Sequence, residues 1–289
     1  MRDPNPNAPA FCGLTFASGE GPVLPPNEST TFMQVRSLNN SLLAHARTEQ
    51  QGLVGGLTTR QRLFVLLLNT IHLLHGLAVI ETGVFLPSVW WSRCVVAGVV
   101  LYLFPPFVVR VLLLLGRIHE GIIPLGSKDF FLWWASFQWQ MIFCRFPALE
   151  ELLRLIPGLY SLWLRLWGSR IGRFTFWAPG TLILDRSFLQ IGDDVVLGAG
   201  VRLNAHVADI DSEGHRRLLL AKLEIGDRCH IGGYSLLTAG TKIEKDQTTK
   251  AFLLSPPFSL WRNGKRVREP SSTESPAGPP TPPEEIQES

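Results

Sequence analysis

The sequence predicts a mixed fold: transmembrane and interfacial α-helices followed by a short parallel β-helix. Three observations predict it. Residues 63–80 and 94–115 are two nearly continuous apolar runs; residues 127–168 mix five Trp with Phe, Leu and Arg; and from residue 171 apolar positions recur every six residues. The expected organisation is a disordered region over 1–58, a transmembrane hairpin over 59–126, Trp-rich interfacial helices over 127–168, the β-helix over 169–262, and a disordered acidic, Pro-rich tail over 263–289.

Composition sets the ends. Residues 1–35 and 269–289 are rich in Pro, Ser and Asn or Glu, a makeup that buries too little surface to offset ordering entropy. The last 21 residues hold five Glu and no Lys or Arg, so a chain of net charge +3 carries +8 on its remainder. That excess suits anionic lipid or a phosphorylated substrate, and no nucleic-acid partner is expected. Cys12, Cys94, Cys144 and Cys229 are scattered without a CxxC pair, which argues against a disulfide framework or zinc knuckle and fits a reducing compartment.

"LFVLLLNTIHLLHGLAVI" is about long enough to cross a bilayer core as a helix, which takes roughly 20 residues. "CVVAGVVLYLFPPFVVRVLLLL" is too, but Pro105-Pro106 must kink or split it. The rival reading is a pair of buried core helices. Arg47, Arg60 and Arg62 precede the hairpin and Arg117 and Lys128 follow it, while the connection offers only Arg93. The positive-inside rule then places both ends, and the β-helix, in the cytoplasm. Trp90-Trp91 sit where an interfacial belt would, and membrane lipid is an expected partner. His72 and His75 share one helix face, a spacing read as packing or helix–helix hydrogen bonding ahead of a metal or proton relay. Helices over 127–168 are expected to lie in the membrane interface, or to pack on the domain that follows.

That domain is announced by its register. Ile171, Trp177 and Ile183 are six apart, as are Ile191, Leu197 and Leu203, and again Ile225, Ile231, Leu237 and Ile243, commonly followed by Gly or another small residue. A helix repeats near 3.6 and a flat strand near 2. A period of six with small residues at the corners suits a triangular parallel β-helix of about three coils. The Trp-rich helices are expected to cover its first end and "FLLSPPFSLW" (252–261) to fold back over the other. The repeat is interrupted by "HVADIDSEGHRRLLLAK", expected as a loop projecting from one corner; loops on rigid scaffolds often carry chemistry.

The stretch 169–245 resembles the left-handed β-helix of hexapeptide-repeat acyltransferases: Asn204-Ala205-His206, the charged loop, then Ile225-Gly226-Asp227 and Ile231-Gly232-Gly233 are similar to the His-bearing loop and return of sugar and antibiotic acetyltransferases. The resemblance implies a left-handed coil, a homotrimer, and an acyl-CoA co-substrate with no permanently bound cofactor or metal. It implies that His206 is the general base that takes a proton from a small-molecule hydroxyl or amine acceptor, with Asp209, Asp211 or Glu213 holding its other nitrogen. His215 is the rival base; His230 is read as wall. A backbone N–H near Gly232-Gly233 would steady the oxyanion, and Lys242, Lys245 and Lys250 would meet the coenzyme A phosphates. "EKDQ" after Ile243 departs from the pattern and implies a shortened groove.

The layout over residues 60–250, including "LYSLWLRLWGSRIG" and the stretched coil "LILDRSFLQIGDDVVLGAG", also resembles the terminal membrane modules of poly-lysine-synthetase-type peptide synthetases, which implies a coupling role. Two further readings stand beside acyl transfer: a non-catalytic β-helix scaffold at the membrane, and a zinc site of the gamma-carbonic-anhydrase type on His206, His215 and His230, whose spacing does not match.

Overall fold

A computed structural model describes residues 56–210 and 216–267. The expected flexible ends and the middle of the charged insertion, including Asp211, Glu213 and His215, lie otherwise outside the described residues. The helical part begins inside the first expected region: Leu57 is buried, and Thr58 caps α1 (Thr59–Leu68) in a capping box with Gln61. After a break at Asn69-Thr70, α2 (Ile71–Phe85) completes one arm, and α3 (Trp90–Tyr102) with α4 (Phe104–Leu115) forms the other. The second arm splits at Leu103, which puts Pro105 and Pro106 in the first turn of α4, where a missing N–H costs no helical bond.

Both arms are long and apolar enough to cross a membrane, yet only 11% and 17% of their most apolar stretches are buried. A core-helix pair would be covered; here Leu73, Leu74 and Leu77 are each 61% exposed. The arms pack on each other, and His75 Nε2–H donates to Val100 O across them at 3.0 Å. His75 thus has the helix–helix role expected for it.

The Trp-rich helix α5 (Lys128–Arg145) is not an interfacial amphipath. Nine of its residues are buried, Trp133, Trp134 and Phe137 among them, and it packs against α1, α2 and α4. Two short helices follow, α6 (Ala148–Arg154) and α7 (Leu159–Leu166). Trp163 and Trp167 of this region are buried over the first coil strand, and Trp177 Nε1 donates to Ser161 Oγ at 2.9 Å. The first end of the coil is covered as expected.

From Arg170 the chain visits three parallel sheets in turn. β2 (Arg170–Ile171), β5 (Leu189–Ile191), β10 (Leu223–Ile225), β13 (Lys242–Ile243) and β15 (Leu260–Arg262) form one. β3 (Phe176–Trp177), β6 (Val196–Leu197) and β11 (His230–Ile231) form the second; β4 (Leu182–Ile183), β7 (Arg202–Leu203), β12 (Leu236–Leu237) and β14 (Leu254–Ser255) form the third. The sixfold positions stack in register: Ile171, Ile191, Ile225 and Ile243 lie over one another, all buried. Corners are tight. A Cβ on Gly226 would sit 2.4 Å from Lys245 N of the next coil, so only glycine fits there.

Two expectations about the coil's length need correcting. It does not stop near three turns: "EKDQ" forms a corner, Thr248 bridges His230, and β14 and β15 continue the winding. "FLLSPPFSLW" therefore adds strands where a fold-back was expected. The fold-back is β16 (Lys265–Val267), antiparallel on β15, inside the stretch expected to be tail.

The insertion is also more ordered than a loop. Its flanks form a hairpin, β8 (His206–Ile210) with β9 (Arg216–Leu220), and β1 (Gly121–Pro124) adds to β9 as a third antiparallel strand. Leu218 and Leu220 bury one face of this sheet. The link from the apolar hairpin to α5 is thereby stitched to the insertion, and Glu120 reinforces it by accepting from Lys222 N at 2.9 Å and Nζ at 2.5 Å.

Candidate active site

The third-sheet corner that leads from Leu203 places His206 at the first residue of β8, against α5. Its ring lies edge-on to Trp133 at 4.8 Å and to Phe137 at 5.2 Å. Its Nδ1 is 2.6 Å from Asp185 Oδ2. The other carboxylate oxygen of Asp185 accepts from Trp133 Nε1 at 2.9 Å. The Asp185 side chain is 2% exposed and that of His206 11%. A carboxylate held this way accepts from Nδ1–H, a tautomer assigned from the bond, and puts the imidazole lone pair on Nε2.

Asp185 was not among the carboxylates expected to hold His206. Asp209, the described one of those, faces Arg217 across the hairpin and pairs with it at 2.6 Å. Asp209 points to Arg217 because directly opposed strand residues meet first. Asp185 instead sits in an eight-residue step from Ile183 to Ile191, two residues longer than its neighbours. In a coil the spatial neighbour lies about one turn away, and Asp185 is 21 residues from His206. The lengthened step was the signal.

The extra residues also carry Arg186, fully buried beside Asp185. Its guanidinium pairs with Glu150 of α6, with Nε to Oε1 at 2.7 Å. Its backbone N–H donates to Gln140 Oε1 of α5 at 2.6 Å. Glu150 Oε2 accepts from Tyr160 at 2.7 Å and Arg154 at 3.1 Å. Burial pulls the Arg186 guanidinium down, but Glu150, Cys144 and Tyr160 together outweigh it and hold the group charged. Burial, then Glu150, pushes the Tyr160 hydroxyl well up. Burial also raises the Cys144 thiol, against the opposing pull of Arg186, so that thiol is held protonated. Trp134, next to Trp133, donates to Asn69 Oδ1 at 2.9 Å in the break of the first apolar arm. The dipeptide that carries Asp185 is therefore fixed from the helical layer on two sides.

Other expected positions are dispersed. Gly232 and Gly233 lie at the corner between the second and third sheets, stacked on Gly198 and Lys250, whereas His206 leaves after the third. Gly232 N–H donates to Thr249 Oγ1 at 3.0 Å, so it is committed within the coil. Lys242 is exposed on the first sheet, 3.6 Å from Glu224 Oε1. Lys245 lies at the following corner, where its backbone passes Gly226. His230 is outward and exposed on β11, a wall position. Asn204, two residues ahead of His206, has a buried Oδ1 without a hydrogen-bond partner among the described residues. No cluster of three His, Cys, Asp or Glu among the described residues is arranged to hold a metal ion.

No family model and no curated protein matches this sequence. Solved structures similar to part of the chain include a maltose O-acetyltransferase from Clostridium difficile 630, at 18% identity over 44% of this chain and 84% of that one, with a TM-score of 0.33. A hexapeptide-repeat-containing acetyltransferase from Vibrio cholerae O1 biovar eltor, complexed with acetyl coenzyme A, is 17% identical over 42% and 85%, TM-score 0.30. A galactoside acetyltransferase in complex with coenzyme A is 13% identical over 42% and 79%, TM-score 0.26.

Proposed function

We propose that this chain is a membrane-anchored acyltransferase that moves an acyl group from an acyl-CoA or other thioester to a hydroxyl or amine, with His206 as general base. The single observation that carries the reading is the Asp185–His206 pair, sheltered by Trp133 and Phe137 at the side of the coil. The coil is read as a left-handed parallel β-helix, on the six-residue register and the resemblance it brings.

In the proposed reaction the acceptor gives its proton to His206 Nε2 as its oxygen or nitrogen attacks the thioester carbonyl. The tetrahedral oxyanion collapses, the C–S bond breaks, and the proton on Nε2 passes to the departing thiolate. Asp185 stabilises the imidazolium between the two transfers, and Trp133 keeps Asp185 from turning away. With the Gly232-Gly233 corner elsewhere in this chain, the oxyanion donor is left to a neighbouring copy, which is the role the expected homotrimer would have. Acyl-CoA phosphates are assigned to Lys242 and Lys245 on exposed coil surface. The dyad lies against α5, which packs on the apolar hairpin, so the acceptor expected is membrane-adjacent.

The test is free-thiol release from acetyl-CoA and longer acyl-CoAs by detergent-solubilised wild-type and His206→Ala protein, with amine and hydroxyl acceptors. Loss of a general base lowers turnover on the order of a hundredfold or more. Equal turnover in both proteins would remove His206 from the chemistry.

A further inference from the structure

A cleft on the first coil, lined by neither Asp185 nor His206, has no part in the reaction proposed above. It opens between the α6–α7 turn, α7 and the corner joining β2 to β3, and encloses about 660 Å³, a volume typical of small-ligand sites. Its wall is mostly apolar and aromatic. Tyr160 and Trp177 meet edge-on at 5.1 Å at its floor, and Phe174 and Phe176 stand 85% and 59% exposed at its mouth.

Three guanidinium groups line it, and their charges are not equally balanced. Arg154 is neutralised by Glu150 and Glu151. Arg165 donates to Ile171 O at 2.9 Å and Gly172 O at 3.0 Å and has no carboxylate partner among the described residues. The Arg173 guanidinium makes no ion pair with any described residue, while its backbone N–H donates to Asp193 Oδ1 at 2.7 Å. Two positive charges therefore rim an aromatic cleft. The hairpin is tied to the helix that walls the cleft: Arg110 of α4 donates to Leu166 O at 3.1 Å and Arg165 O at 3.4 Å of α7.

We propose that this cleft binds a membrane phospholipid, its anionic headgroup between Arg165 and Arg173 and its acyl chains along Phe174 and Phe176. Arginine suits phosphate because its planar fork presents paired donors. The exposed Phe rings would otherwise be an apolar patch with nothing to cover it. The proposal rests on the membrane reading but is independent of His206.

The experiment titrates the full chain, in neutral detergent, with dioctanoyl phosphatidic acid, dioctanoyl phosphatidylcholine or inorganic phosphate, and counts bound ligand by native mass spectrometry. Saturable binding of the phosphatidic acid is expected, weakened about tenfold by Arg173→Gln and by Arg165→Gln. Arg228→Gln, which removes a surface pair with Asp246 on a later coil, is expected to leave binding unchanged. Equal binding of phosphatidylcholine, or no effect of either cleft substitution, overturns the headgroup role. Full competition by inorganic phosphate would assign the site to a free anion and overturn the lipid. The wild-type comparison among ligands stands even if a variant folds poorly. Because the short-chain lipids disperse in water, failure here is distinct from failure of the chain to enter a bilayer.

Discussion

At the residue scale one carboxylate, Asp185, sets the orientation proposed for His206. Asp185 is buried and satisfied on both oxygens, one by His206 and one by Trp133. A Trp133→Phe substitution keeps the ring contacts and removes one donor, leaving a buried acceptor unmet at a cost of about 1–3 kcal/mol. If Trp133 is a positioning residue, kcat falls roughly tenfold with KM unchanged; a purely structural role would lower the amount of folded protein and leave both constants alone. Steady-state kinetics on folded material separates the two. The motif marks His206 in the sequence, but its carboxylate partner is distant in the chain. Asp209, Asp211 and Glu213 are the carboxylates closest in sequence, yet the one that meets His206 belongs to the coil before. In stacked coils proximity follows the turn length, as the pairing of Ile183 with Leu203 already implies.

At the element scale the interlock between α5, α6 and the lengthened coil step rests on a buried ion pair. Glu150→Ala would strand the Arg186 charge, and losses of that kind run about 3–5 kcal/mol. A drop in melting temperature of several degrees is therefore expected, with partial recovery when Arg186→Met is added; an unchanged melting curve would remove the pair from the fold's support. The stitch at Glu120 is weaker and depends on pH. Burial pushes its carboxyl up, but hydrogen bonds and charge from Lys222 outweigh that and hold it below its ordinary value. Its contribution is thus present above the unfolded value and lost as pH falls through the lowered one. Half-exposed partners keep it below about 1 kcal/mol, so the acid-side slope of the melting temperature should flatten slightly in Glu120→Gln. The coil was legible because a six-residue period with small corner residues has no helical or flat-sheet equivalent. β1 was not, since four residues carry too little pattern and their partner strand lies about a hundred residues on.

At the scale of the whole molecule, the proposed anchor rests on two arms long and apolar enough to cross a membrane, with leucine and valine exposed along them. The chain should stay with vesicles through high-salt and alkaline washing and leave only with detergent. Leu73→Lys and Leu77→Lys each add roughly 2.5–3.5 kcal/mol to insertion and should release it in proportion. A chain that stays monomeric in plain buffer would contradict the anchor. Apolar runs made that hairpin readable, but not its link to the coil: α5 packs against it and also meets His206 through Trp133 and Phe137, so one helix joins the hairpin to the proposed site.

Single-turnover acyl transfer by Asp185→Asn, beside Asp209→Asn and both in lipid nanodiscs, separates the two carboxylates. If Asp185 orients His206, the first variant loses on the order of a hundredfold or more while the second stays near wild type. Full activity in Asp185→Asn, or a loss confined to Asp209→Asn, would contradict the account.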